Sequence, residues 1–155
     1  MLITLITWGV LIYFISKKKF NKQLIITGLM GLIWVASYGY TYNVTSPMLG
    51  TINIFTLGEW ILGLFIFSQI YVYFRKKFKK ERFMAIITSG AIYISSLFAL
   101  EYWGYHILKI QYETTSAGVF GLDIIHGPWY MQAWYVGAWL VYIIVHELTI
   151  RNKNR

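Results

Sequence analysis

Arg75-Lys76-Lys77-Phe78-Lys79-Lys80-Glu81-Arg82 packs six cations into one short stretch. An uncharged run from Trp60 to Phe74 leads into it, and another from Phe83 to Leu100 leads out. Two further clusters follow the same layout: Lys17, Lys18, Lys19 with Lys22, and Arg151, Lys153, Arg155. Of the 14 Lys and Arg residues only Lys109 stands apart. Basic residues beside membrane spans are retained on the cytoplasmic side. The pattern therefore reads as an all-α integral membrane chain, with every basic cluster on one face.

Composition agrees. The chain has 155 residues, 57% of them apolar and only 13% charged. A soluble domain carries about 25% charge. The net charge of +8 is concentrated where anionic lipid headgroups would lie, which points to membrane lipid and away from nucleic acid. The chain has no Cys, which excludes disulfides, thiolate metal sites and cysteine nucleophiles. In the first apolar block, Met1 to Ser16, the charges follow the apolar run, so it reads as a retained helix and not a cleaved signal.

Five spans are expected, at roughly 2–16, 24–42, 54–74, 83–106 and 129–148, forming a single membrane domain of residues 1–155. An odd count puts all three basic clusters inside, with the N-terminus out and the C-terminus in. The loop from Asn43 to Asn53 is uncharged, and the loop after the fourth span carries only Lys109, Glu113 and Asp123. Tyr38, Tyr40, Tyr42, Trp60, Tyr102, Trp103, Tyr105, Tyr112, Trp129, Tyr130 and Trp134 gather toward the outer ends, as an interfacial belt or an aromatic pocket. Thr27 with Gly31 and Ala133 with Gly137 have the four-residue spacing of close helix packing, within the bundle or in a homo- or hetero-oligomer.

Polar residues inside such a chain need a reason. Glu59 lies about 8 Å inside the third span at ~1.5 Å per residue. A central acid costs about 2.5–3.5 kcal/mol and less near the interface, so it normally faces the bundle and has a partner. Tyr or Asn near Asn53 would serve. Glu101 and His106 end the fourth span, about 140° apart on an α-helix, which argues against a metal pair. His126-Gly127-Pro128 implies an irregular start to the fifth span. Glu59, Glu101, His106, Asp123 and His126 all fall at similar outer depth, as a proton-transfer cluster or a metal site. No His-x-x-x-His spacing supports a metal, and a solvated loop accounts for Asp123. His146 and Glu147 belong to the inner interface. Asn43-Val44-Thr45 matches a glycosylation sequon. No phosphate loop or nucleophile elbow occurs.

Trp34 to Glu59 and Glu101 to His126 are equal intervals, which suggests a duplicated helix pair. Ile33-Trp34, Tyr42-Asn43, Pro47, Gly50 and Ile54-Phe55-Thr56-Leu57-Gly58-Glu59-Trp60 resemble the lycopene cyclase domain of the small membrane-embedded carotenoid cyclases. Gly121, Ile124, Pro128 and His146-Glu147 are similar in outline in the second half. Val35 and Leu57-Gly58 stand where that family carries acids, and Trp129-Tyr130 replace its second acidic pair.

The resemblance implies proton-initiated cyclisation of a carotenoid or other apolar isoprenoid. Glu59 would be the acid, and Glu101 or His106 its reset partner. Trp34, Trp60, Trp103 and His126 would line the substrate pocket, where ring faces stabilise a carbocation by ~2 kcal/mol when desolvated. No cofactor or metal is implied, and a bacterial or archaeal cytoplasmic membrane is the expected setting. The alternative is a non-catalytic small membrane subunit packing against larger partners. A proton or ion pathway is disfavoured because the inner half shows no relay. Single cysteines introduced beside Lys19 and beside Lys79 are expected to react with an impermeant reagent from the same side of the bilayer; labelling from opposite sides would rule out five spans.

Overall fold

A computed structural model describes residues 2–17, 21–43, 45–111 and 117–151. Lys18, Lys19, Val44 of the sequon, Tyr112, Glu113, Lys153 and Arg155 lie outside the described residues. Among the described residues the fold is helical apart from one short hairpin and the connecting segments. Helix α1 spans Leu2–Ser16 and α2 spans Asn21–Tyr38. Strands β1 (Met48–Leu49) and β2 (Ile52–Asn53) pair antiparallel, with Met48 opposite Asn53. Helix α3 covers Ile54–Lys77. Helix α4 covers Arg82–Tyr102 and runs on into a π turn at Trp103–Ile107. A 3₁₀ turn at Val119–Gly121 precedes α5, Trp129–Arg151.

The helices fall where the apolar blocks lie, with shifted ends. α2 starts at Asn21 and stops at Tyr38 because Gly39 turns left-handed at φ 53°. α3 continues through Arg75, Lys76 and Lys77, cations that suit the negative end of a helix dipole. Two helical stretches, Ile54–Lys77 and Arg82–Ile107, have the length and apolarity to cross a membrane. α1 and α2 are apolar but shorter. α5 has 23 residues, with Gln132, His146 and Glu147 set among its Trp and Tyr. α1 exposes Leu2, Leu5, Ile6, Ile12 and Ile15, an apolar surface that water would penalise.

The chain packs as two compact units, Met1–Thr41 with Thr45–Gln69 and Tyr42–Val44 with Ile70–Arg155. In the first unit, Thr4, Thr7 and Leu11 make the buried stripe of α1 at helical spacing. Leu11, Leu24 and Phe65 form a core with Trp8, Phe14, Ile61 and Leu62 around them. The expected Thr27–Gly31 seam is used. Thr27 is fully buried, and a Cβ on Gly31 would lie 3.1 Å from Ile61 Cγ1 and 3.5 Å from Trp60 Cβ. The Asn53 carboxamide caps α3 by accepting from Thr56 N at 3.1 Å, and it donates to Ser46 Oγ and Tyr40 O.

In the second unit α4 and α5 pair antiparallel. Arg82 meets Glu147, Gly90 meets Trp139, Tyr93 meets Tyr135 and His106 meets Asp123. The Tyr93 hydroxyl donates to the Tyr135 carbonyl at 2.8 Å. The buried stripe of α5 is Met131, Tyr135, Ala138, Tyr142 and His146, the i, i+4, i+7, i+11, i+15 pattern of one helix face. The Ala133–Gly137 pair makes no such seam within the described residues of this chain. Ala133 is exposed and a Cβ on Gly137 would meet nothing within 4 Å, because that pair lies off the stripe. The close approach is Gly90, where a Cβ would lie 2.7 Å from the Trp139 ring. Gly90→Val should lower the thermal unfolding midpoint in detergent, by an overpacking cost of about 1–3 kcal/mol. Adding Trp139→Leu should restore part of it, and an unchanged midpoint for Gly90→Val would contradict the seam.

Candidate functional site at the α4–α5 corner

The site begins with the π turn. Its i→i+5 bond, Leu108 N to Trp103 O at 3.0 Å, widens the helix at the end of α4. Such turns recur at functional sites. The α-helical angle expected between Glu101 and His106 therefore does not apply, since the helix is no longer α at His106. Beyond it, Lys109 turns left-handed at φ 56°.

Residues 117–128 then fold back through unusual backbone. Phe120 and Ile125 hold φ of 53° and 52°. A β-branched residue in that region is an outlier that the surroundings must enforce, and Ile125 is only 2% exposed. Val119 N donates to Ile124 O at 2.9 Å, closing the loop. Gly118 is obligatory here, because a Cβ on it would fall 1.7 Å from the Leu122 carbonyl. Gln132, in the first turn of α5, donates to Ala117 O and Gly127 O at 2.8 Å each. Asn43 ties the other end of the connection: its Nδ2 donates to Lys109 O at 3.0 Å and its Oδ1 accepts from Gln111 N at 2.9 Å.

This scaffold sets Asp123 between two imidazoles. His126 Nε2 lies 2.7 Å from Asp123 Oδ1. His106 Nε2 lies 2.9 Å from the Asp123 carbonyl and 3.3 Å from Oδ2. A carbonyl and a carboxylate only accept, so both Nε2 atoms carry the proton. The remaining nitrogen of His126, Nδ1, is buried with no hydrogen-bond partner among the described residues. The His126 side chain is 11% exposed, against 72% for Asp123. The Tyr105 ring stacks on His126 at 3.9 Å and 17°, and Tyr102 covers His106 at 4.6 Å. Glu101 sits one turn earlier on α4, half-buried, in electrostatic range of Tyr93. Trp103 is exposed at the same corner.

The expected residues divide between the two units. Glu101, Trp103, His106 and His126 fall on one connection of the second unit. Trp34 and Trp60 meet in the first unit, edge to face at 6.1 Å, with the Trp34 indole donating to the Tyr40 hydroxyl. Glu59 accepts from the Thr7 hydroxyl of α1 at 2.6 Å, so its partner is neither Tyr nor Asn. Among the described residues no group of three His, Asp or Glu side chains has a metal-binding arrangement. The two Asp123 oxygens are each taken by a different ring and do not converge with them on a common point.

A second polar cluster lies at the other end of the α4–α5 pair. The Tyr71 hydroxyl donates to Glu147 Oε1 at 2.8 Å, and Arg75 Nε and Arg82 Nη1 approach Glu147 at 3.4 and 3.7 Å. His146 is buried, 3.2 Å from the Tyr142 hydroxyl and edge-on to Tyr71 at 5.7 Å. Sequence reasoning placed His146 and Glu147 at a bare interface. The i,i+4 pairs Tyr142–His146 and Tyr71–Arg75 were the available signal.

Models of protein families, curated proteins and solved structures all give no match to this chain. Asp123→Asn removes a charged acceptor from two rings and is expected to cost about 1 kcal/mol, reduced by its exposure. Limited proteolysis should then cut residues 109–128 faster, while an unchanged digestion pattern would deny Asp123 its anchoring role.

Proposed function

We propose that the chain is an integral membrane protein of about five spans, with its N-terminus outside, acting on an apolar isoprenoid lipid. The chemistry is proton-initiated cyclisation of the lycopene-cyclase type. One observation carries the reading: an aspartate orients two ring-covered imidazoles, one of them His106, five residues beyond Glu101 on the same helical stretch. A carboxylate that fixes an imidazole, leaving its second nitrogen without a partner, is the arrangement expected of a proton acceptor.

The reaction is an isomerisation. A carboxylic acid proton adds to the terminal alkene, and the neighbouring double bond attacks the resulting cation to close the ring. A proton then leaves the adjacent carbon, so nothing is oxidised or reduced. Glu101 is the donor in this reading and His126 the acceptor, held by Asp123. Tyr102, Trp103 and Tyr105 offer ring faces to the cation. Glu59 and the Trp34–Trp60 pair belong to the first unit, and the reading does not need them at this corner.

A non-catalytic membrane subunit is the second reading. Phe120 and Trp129 favour it, being 82% and 79% exposed at this same connection, as partner-facing rings would be.

Expression in a lycopene-accumulating bacterial host separates the two. The cyclase reading expects a new pigment with altered colour and shifted chromatographic mobility. Glu101→Gln should cut its yield by about 10²-fold or more, the scale of a lost general acid, with Glu59→Gln close to wild type. Unchanged lycopene beside well-inserted protein, with a stoichiometric partner recovered in mild detergent, would decide for the subunit.

A further inference from the structure

The α3–α4 turn is electrostatically unbalanced. Arg75, Lys76, Lys77, Lys79, Lys80 and Arg82 are opposed there by Glu81 and Glu147. Arg75, Lys76 and Lys77 suit the C-terminal end of α3. Arg82 does not suit its place, because it opens α4 at the positive end of that helix's dipole. Glu81 precedes it at the cap position and makes no side-chain capping bond. The first-turn N–H groups of α4 and the Arg82 guanidinium, 71% exposed, therefore present positive charge together.

Glu147 holds the two arginines converged without a hydrogen bond to either, and Arg75 Nη1 donates instead to Lys79 O at 3.5 Å. Its Oε1 is already taken by the Tyr71 hydroxyl. Arg75 Nε, 3.4 Å from that oxygen, is buried and makes no hydrogen bond among the described residues. Arg82 Nη1 is 3.7 Å from Oε2, beyond hydrogen-bond range. A guanidinium whose buried Nε is held by an ion pair alone, and an exposed guanidinium beside it, leave donors for an external oxyanion.

We propose that this turn binds the phosphodiester headgroup of an anionic phospholipid, with Arg75 and Arg82 as the recognising pair and Glu147 as the group that positions them. The assignment rests on the membrane reading above. Two guanidiniums match phosphate oxygens in a way ammonium groups do not, so the surrounding lysines attract the headgroup while the arginines select it.

The test is native mass spectrometry of the full chain, released from bilayers of mixed phosphatidylcholine and phosphatidylglycerol. Wild type should retain phosphatidylglycerol in preference to phosphatidylcholine. Arg75→Lys with Arg82→Lys keeps the charge and should cost about tenfold in retention, the scale of a lost charge-assisted hydrogen bond. The double variant's helical circular dichroism should stay at the wild-type level. Equal retention by wild type and the double variant would reduce the site to diffuse attraction and overturn the proposal. Displacement of the lipid by inorganic phosphate would overturn it too, in favour of a small-anion site. A chain recovered soluble without detergent would sink the membrane reading itself, which the lipid comparison alone cannot do.

Discussion

The pairing of α4 with α5 organises the second unit. Its register is set where there is least freedom, at Gly90 under the Trp139 ring and at the Tyr93 hydroxyl on the Tyr135 carbonyl. A helix rises about 1.5 Å per residue, so a register fixed in the middle also fixes the ends. His106 is brought to Asp123 at one end and Arg82 to Glu147 at the other. Sliding one helix by a turn would separate both charged pairs together.

The two ends differ in how they meet their polar needs. At the α4–α5 corner the backbone bends to the side chains: a π turn and left-handed Lys109, Phe120 and Ile125 bring Asp123 within reach of two rings. Backbone strain of this kind, about 1–3 kcal/mol per residue, persists where the surroundings over-determine it. At the Glu147 cluster the helices stay regular and long side chains reach across instead, from Tyr71, Arg75 and Arg82 to Glu147. The first cluster is thus assembled by backbone conformation, and the second by the reach of long side chains.

Much of the helical framework was legible in the residues. Uncharged runs bounded by Lys and Arg marked α3 and α4, since a long apolar run has few other uses. The Thr27–Gly31 spacing named a seam within the chain, whereas Ala133–Gly137 lies off the stripe that α5 buries against its own neighbours. The corner was half legible. Glu101, His106 and His126 could be named as costly polar groups, and Gly127-Pro128 announced an irregular turn. Asp123 was named at the same depth but read as solvated, which fits its 72% exposure; nothing local foretells that it meets both rings. Thr7 as the partner of Glu59 was equally hidden, because the contact joins positions far apart in the chain.

Asn43 has a consequence for chemical processing of the chain. The nitrogen to which an oligosaccharide would be attached is the one that donates to Lys109 O. The same side chain's oxygen receives Gln111 N. Sugar transfer requires that amide to be extended and unoccupied. A chain that has closed this clasp thus offers a transferase only the amide's second N–H, on a side chain already held at both its polar atoms.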